Sequence, residues 1–244
     1  MLADAYTKGL RGGINWADGY KAMVKDAESQ PMPEDMWGWK EGRGALYDWI
    51  PLGYLSVDKT TRSLSRTVEC SANDYALSVV AAGESGPADV SKYRNRSAGW
   101  QNLWNDNVES QGFTGFLAPR LSSGEFNLTD YDPALCSRCS WDEITYEGTP
   151  WEYSFYVQHD MKSLVQFMGG ARKFEERLDH IFVPNAAGKT IMNIGNEPDF
   201  ATPFLYSYIN RQHRSVARGR ELVNNFFKGL YPITTQPVYL LQSP

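Results

Sequence analysis

The oxygen-rich segment around residue 196 is the first candidate for chemistry. Asn196, Glu197 and Asp199 fall within four positions, interrupted by a proline, at the end of an apolar run. Amide and carboxylate oxygens are the ligands that calcium prefers, and the same groups hydrogen-bond to polyhydroxyl ligands. By itself the pattern also fits an ordinary polar turn with an Asp cap before a helix that starts near Thr202.

A second candidate lies about fifty residues upstream, where Glu147 stands between Tyr146 and Trp151. Aromatic surroundings favour the protonated form of a carboxylic acid, which a general acid requires. A glutamate before a glycine is also a common solvated loop residue. In the next polar segment, His159 could hydrogen-bond to hydroxyl groups of a ligand; alternatively His159 is structural and Asp160 caps the following helix.

These segments occur in the order of a known family. The chain reads Tyr-Glu-Gly-Thr-Pro-Trp-Glu-Tyr at 146–153, Val-Gln-His-Asp at 157–160, Met-Gly-Gly at 168–170 and Gly-Asn-Glu-Pro at 195–198. In this order they resemble the calcium-dependent alpha-mannosidases of glycoside hydrolase family 92. The family pattern runs Thr-Glu-Gly-Asn-Ala-Trp-Gln-Tyr, Val-Pro-His-Asp, Met-Gly-Gly and Gly-Asn-Glu-Pro. Further matches from residue 41 to residue 97 extend the resemblance over nearly the whole chain.

The resemblance implies an exo-acting, inverting hydrolysis of alpha-mannosides, as in N-glycan processing. Glu147 would be the general acid, and Asn196 and Glu197 would bind Ca²⁺, which contacts two mannose hydroxyls and helps to distort the ring. The implied partner is a mannose-containing oligosaccharide or glycoprotein glycan. The candidate substrate-binding residues are His159, Asp160 and Trp151.

One departure from the family concerns the general base. An inverting glycosidase needs a second carboxylate to activate water, and the family supplies it from a Gly-Asn-Asp-Asp-x-Gly segment. Here Phe226-Phe227-Lys228 runs directly into Gly229-Leu230-Tyr231-Pro232, and no Asp or Glu follows Glu221. Three hypotheses follow: a catalytically impaired mannosidase domain, a non-catalytic mannose-binding or glycan-binding remnant, or another (α/α) toroid glycosidase or lyase with a coincidental loop.

The elements that must position these residues are mostly helical. The resemblance implies a mainly α fold, an incomplete (α/α)6-type toroid, with residues 1–244 forming part of the catalytic domain and the family's N-terminal β-sandwich absent. Polar residues 106–150 show little periodicity and predict a long excursion with a short hairpin around Gly112–Phe126, and Pro237–Leu241 is β-like. Helical spacing and caps predict the following helices: Leu2–Leu10, Trp16–Glu28 with Asn15 as cap, Arg66–Gly83, Pro87–Trp104, Ser154–Met168, Ala171–Ile181, Pro203–Asn210 and Ser215–Phe227.

Composition excludes two classes of partner. The chain has 244 residues, 42% of them hydrophobic, with a net charge of -5 and a pI near 5.3, which argues against nucleic acid. No apolar run approaches the roughly twenty residues of a membrane span.

The first ten residues are not a signal peptide, although sequons at Asn95 and Asn127 favour a secretory origin for a longer parent. Cys136 and Cys139 could form a local disulfide.

Overall fold

A computed structural model describes residues 1–30, 43–136, 139–184, 186–187 and 191–227. The helices are α1 Leu2–Thr7, α2 Trp16–Glu28, α3 Leu46–Leu52, α4 Ser63–Glu84, α5 Pro87–Ser97, α6 Pro150–Tyr153, α7 Met161–Phe167, α8 Ala171–His180 and α9 Gln212–Phe226. Short 3-10 helices cover Ala98–Leu103, Gln158–Asp160, Glu197–Asp199 and Thr202–Ile209. The strands are β1 Trp104–Ser110 and β2 Phe113–Leu117. None of the described helices is long and apolar enough to cross a membrane.

The described residues form two compact units. The first comprises Met1–Trp104, Leu117–Tyr131 and Trp141–Thr145, and the second comprises Asn105–Phe116, Asp132–Ser140 and the described residues from Tyr146 onwards. In the first unit α4 packs against α1, α2 and α5. One face of α2 is apolar, and its residues Tyr20, Met23, Val24 and Ala27 pack in one cluster with Leu77 and Tyr93.

A buried ionic network lies inside the first unit. Asp74 on α4 is completely buried, and its carboxylate accepts hydrogen bonds from Trp49 Nε1 and Arg96 Nε at 2.9 Å each. Arg43, also buried, forms a short ion pair with the same carboxylate. Another arginine of this unit, Arg120, donates instead to the backbone carbonyls of Gly124 and Asn102.

The core of the second unit surrounds the Trp151 ring. Trp151 has no exposed surface and meets Phe113, Phe116 and Phe155 at centroid distances of 5.7, 5.2 and 6.3 Å. The Arg177 guanidinium lies 3.6 Å from the centroid of Phe116, and Arg177 Nη1 donates to Gly115 O at 2.6 Å. This apolar cluster supports the loop that begins at Tyr146 and the first turn of α6.

Several predicted elements are confirmed and others are shifted. The α2 bounds agree, and the Asn15 side chain accepts from Asp18 N as a cap. The predicted Ser154–Met168 helix is wrong at its start, because the helix α7 begins only at Met161, after a 3-10 turn. The hairpin predicted around Gly112–Phe126 begins earlier, since Gln111 and Gly112, with φ of 54° and 81°, form the turn between β1 and β2. Within the predicted range, an antiparallel bridge also pairs Arg120 with Phe126. The predicted β segment Pro237–Leu241 lies outside the described residues.

Candidate functional site

Glu147 occupies an unusual backbone conformation. Gly148 N donates to Tyr146 O at 2.8 Å, and the bond encloses Glu147, whose φ is 66°. This is a γ-turn with positive φ, a rare and strained form for a residue with a side chain. Glu147 N also donates to Cys139 O at 2.8 Å, next to the Cys136–Cys139 disulfide. Such strained residues cluster at functional sites, where the surrounding structure holds them in place.

The Asn196 segment is in contact with this turn. Asn196 Nδ2 donates to the backbone oxygen of Glu147 at 2.5 Å, although 49 residues separate them. The Glu147 and Glu197 side chains are exposed, and within the described ranges neither carboxylate has a hydrogen-bond partner. The structure therefore brings together the two segments that the sequence singled out. That both act on one sugar stays a prediction.

Glu152 joins the same two segments from beneath. Its side chain is 2% exposed, and Oε2 accepts from Thr149 N at 2.5 Å and from Thr149 Oγ1 at 2.9 Å. Thr149 Oγ1 in turn accepts from Glu152 N, which completes a capping box at the start of α6. The other oxygen, Oε1, accepts from Asn193 N at 2.7 Å. One carboxylate thus ties the Glu147 loop to the loop that leads to Asn196.

Asp199 is a buried carboxylate beside Glu152. It is fully buried, and no described residue reaches its oxygens with normal hydrogen-bond geometry. Burial, and then the negative charge of Glu152, raise the pKa of Asp199 well above its usual range, while nearby Thr202 opposes the shift. Asp199 therefore carries a proton more readily than an ordinary aspartate. The proposed capping role of Asp199 is not visible in its contacts.

The three predicted substrate-binding residues differ in exposure. His159 and Asp160 are half-buried in the 3-10 turn before α7, and Asp160 precedes the helix without a side-chain capping bond. Trp151 is completely buried, and its Nε1 donates to Ser110 Oγ at 3.2 Å. As placed, Trp151 has no face open to a sugar and supports the loop from below. Its substrate-binding role stays a prediction.

The donor set near Glu147 is compatible with calcium. Because Asn196 Nδ2 is held by the Glu147 carbonyl, the Asn196 amide oxygen is oriented away from that bond and can act as a ligand. Glu197 adds an exposed carboxylate. Calcium takes six to eight oxygens, which carbonyls, sugar hydroxyls and water can complete. Within the described residues no group of three or more His, Cys, Asp or Glu side chains converges to hold a metal, at this loop or at any other position.

Two surface cavities lie away from these residues. One, of about 330 Å³, belongs to the first unit and is lined by residues 57–61 and 142–144. The other, of about 410 Å³, is in the second unit between the 3-10 helix Thr202–Ile209 and α9, where Tyr206, Arg214 and Arg218 line it. Neither contains a residue that the sequence predicted to be functional.

Comparison with known proteins identifies the family. The model of the glycosyl hydrolase family 92 catalytic domain matches residues 1–229. The chain belongs to glycosyl hydrolase family 92. A protein described as an uncharacterized secreted glycosidase of Arthroderma benhamiae is 36% identical over 289 residues, covering 100% of this chain and 36% of that protein. The chain thus spans about a third of the length of this relative.

Solved structures show the same fold. A family 92 alpha-mannosidase from Bacteroides thetaiotaomicron has a TM-score of 0.74 at 25% identity, covering 92% of this chain and 27% of that one. An inverting family 92 mannosidase from the same species has a TM-score of 0.73 at 22% identity, with 92% and 31% coverage. The predicted fold class, a mainly helical part of the family 92 toroid, is confirmed.

Sequence reasoning missed Glu152 as part of the site. The signal was present, because Thr149-Pro150-Trp151-Glu152 carries the Thr-x-x-Glu spacing of a capping box with Pro at the first helical position. The contact between Glu152 and Asn193 had no local signal. It depends on a tertiary approach between segments 41 residues apart.

Proposed function

We propose that this chain is the part of an exo-acting, calcium-dependent alpha-mannosidase that carries the general acid and the metal loop. Glu147 would protonate the leaving oxygen of an alpha-mannoside. Asn196 and Glu197 would hold Ca²⁺, which supplies positive charge for the mannose hydroxyls. His159 and Asp160 would hydrogen-bond to the sugar. The substrate would be a mannose-containing oligosaccharide or a glycoprotein glycan.

The hydrogen bond from Asn196 to Glu147 is the observation that carries this proposal. It puts the strained turn of Glu147 in contact with the oxygen-rich loop, which supports assigning the acid and the cation ligands to one site. A related mannosidase from Bacteroides thetaiotaomicron was solved with mannoimidazole; it is 24% identical and has a TM-score of 0.74. Membership of the same family supports a mannose-containing substrate here.

We further propose that turnover by this chain is impaired. No carboxylate follows Glu221 to act as the general base, and the junction at residues 228–229 lies outside the described residues. The alignment with the fungal relative spans 289 residues, whereas this chain has 244, so at least 45 aligned positions are unfilled here. Loss of a positioned general base lowers the rate by about 10²–10⁴-fold. The same absence favours the alternative function, a mannose-binding remnant without turnover.

Mannose release from an alpha-linked mannobiose tests this proposal. We expect the purified chain to release mannose very slowly in calcium, and Glu147→Gln to abolish what remains. The matched control is Glu176→Gln, which alters an exposed carboxylate on α8. Rapid calcium-dependent release by the unchanged chain would refute the impairment and would assign the base role to another carboxylate, such as Asp199. Residual release that survives Glu147→Gln would refute the acid assignment.

A further inference from the structure

Glu152 divides its carboxylate between two loops. Oε2 faces Thr149 N and Thr149 Oγ1, in the loop that contains Glu147, whereas Oε1 faces Asn193 N, in the loop that leads to Asn196. A carboxylate has acceptor sites on both oxygens and can serve two donors at once. At 2% exposure, water cannot readily replace either contact.

The packing leaves little freedom for this side chain. A Cβ added at Gly148 would lie 3.2 Å from Glu152 Oε2, so the turn that contains Glu147 rests directly on the carboxylate. In the other loop, Asn196 N donates to Asn193 O at 2.9 Å, and this hydrogen bond fixes Asn196 relative to Asn193. A hydrogen bond thus joins Glu152 directly to each loop, whereas the exposed carboxylates of Glu147 and Glu197 do not take part.

We propose that Glu152 is a positioning residue that holds the Asn193–Glu197 loop against the Glu147 turn. The Asn196–Glu147 hydrogen bond is exposed to solvent and joins one side chain to a backbone carbonyl. The buried carboxylate beneath it fixes the spacing between the acid and the calcium ligands. The inference rests on the proposed function for its effect on calcium, but the connection between the loops does not depend on it.

The variant Glu152→Gln separates the two halves of this connection. A glutamine still completes a capping box with Thr149 through its carbonyl oxygen. The carbonyl oxygen should face Thr149, which offers two donors, rather than Asn193, which offers one. The NH₂ group then faces the Asn193 N–H, and two donors cannot bond to each other. If the amide turns towards Asp199 instead, Asn193 still loses its acceptor. We therefore expect the Thr149 side to survive and the Asn193 side to open.

Hydrogen exchange in calcium-free buffer is the first test. In Glu152→Gln the peptide containing Asn193 should exchange at least about tenfold faster, while the peptide containing residues 149–153 keeps its protection. Glu152→Ala should accelerate both. The control Glu109→Gln removes an equal charge from an exposed position of β1 and should change neither. Unchanged exchange at Asn193 in both Glu152 variants would overturn the proposal.

Calcium affinity is the second test. Outer-shell groups that orient metal ligands typically contribute 10–100-fold to affinity, so the half-saturating calcium concentration should rise about that much in Glu152→Gln. A value equal to that of Glu109→Gln would overturn the positioning role. If the unchanged chain shows no response to calcium, the proposed metal site fails, and hydrogen exchange alone decides whether Glu152 joins the loops.

Discussion

The strained turn at Glu147 predicts that glycine is preferred over alanine at this position. A residue with a side chain in a sparsely populated backbone conformation pays about 1–3 kcal/mol, and Glu147, with φ of 66°, is such a residue. Glycine avoids that cost but loses about 0.4–1 kcal/mol through the greater entropy of its unfolded chain. Glu147→Gly should therefore be more stable than Glu147→Ala by about 1 kcal/mol, within a range of about 0–2.6 kcal/mol. Both variants lose the carboxylate, so the comparison isolates the backbone.

The same two substitutions at Glu176, to glycine and to alanine, should give the opposite order of stability. Glu176 is exposed in the interior of α8, where glycine is about 1 kcal/mol less stable than alanine. Urea unfolding of the four variants gives the two differences directly. We expect the sign to reverse between positions 147 and 176. If glycine is as unfavourable relative to alanine at position 147 as at position 176, Glu147 is not strained, and its backbone conformation gives no support for a functional role.

Three further predictions concern stability. Asp74→Ala leaves two arginines without their buried partner and should lower the free energy of unfolding by about 3–5 kcal/mol. The control Asp4→Ala removes an exposed ion pair and should lower it by less than about 1 kcal/mol. Burial opposes ionisation of Glu28, but the positive charges of Lys92 and a nearby arginine outweigh burial and lower the pKa of Glu28. The stability lost in Glu28→Gln should therefore be largest above about pH 4.5 and should shrink as the pH falls below that value. Calcium at 100 times its Kd should stabilise the chain by about 2.7 kcal/mol, and Glu197→Ala should abolish this gain.

Each of these predictions has a contradicting result. Equal losses in the Asp74 and Asp4 variants, measured in urea, would mean that burial does not govern the ion pair at Asp74. A Glu28→Gln difference that is constant from pH 7 to pH 3 would reject the lowered pKa. A melting temperature that is the same in calcium and in chelator, or a calcium effect that persists in Glu197→Ala, would reject the metal loop.

Local patterns predicted the parts of the fold that depend on short-range physics. The α2 bounds and its Asn15 cap follow from spacing and a side-chain acceptor within the same turn. The helix predicted from Ser154 failed because apolar spacing cannot distinguish a continuous helix from a short helix, a 3-10 turn and a second helix. The helix α3 was missed, since it is only seven residues long and contains Pro51.

The candidate site was predictable through motifs but not through geometry. Glu147 and Asn196 were singled out by motif order, and their contact required the tertiary fold. The positive φ of Glu147 could not be foreseen, because glutamate has no preference for that region. Trp151 was proposed as a sugar contact from its place in the family motif, and the fold buries its ring completely. Its substrate-binding role stays a prediction, because a motif does not reveal which face of a loop becomes buried.

Calorimetric titration of the chain with mannoimidazole, in calcium and in chelator, decides whether the loop at Asn196 and Glu197 binds the sugar through a metal. We expect saturable binding in calcium that disappears in chelator and in Glu197→Ala, because the metal loop must hold the sugar next to Glu147. The control Glu176→Gln should bind like the unchanged chain. No binding in calcium, or equal binding with and without calcium, would contradict the assignment of this chain as the calcium-dependent, mannose-binding part of a family 92 glycosidase.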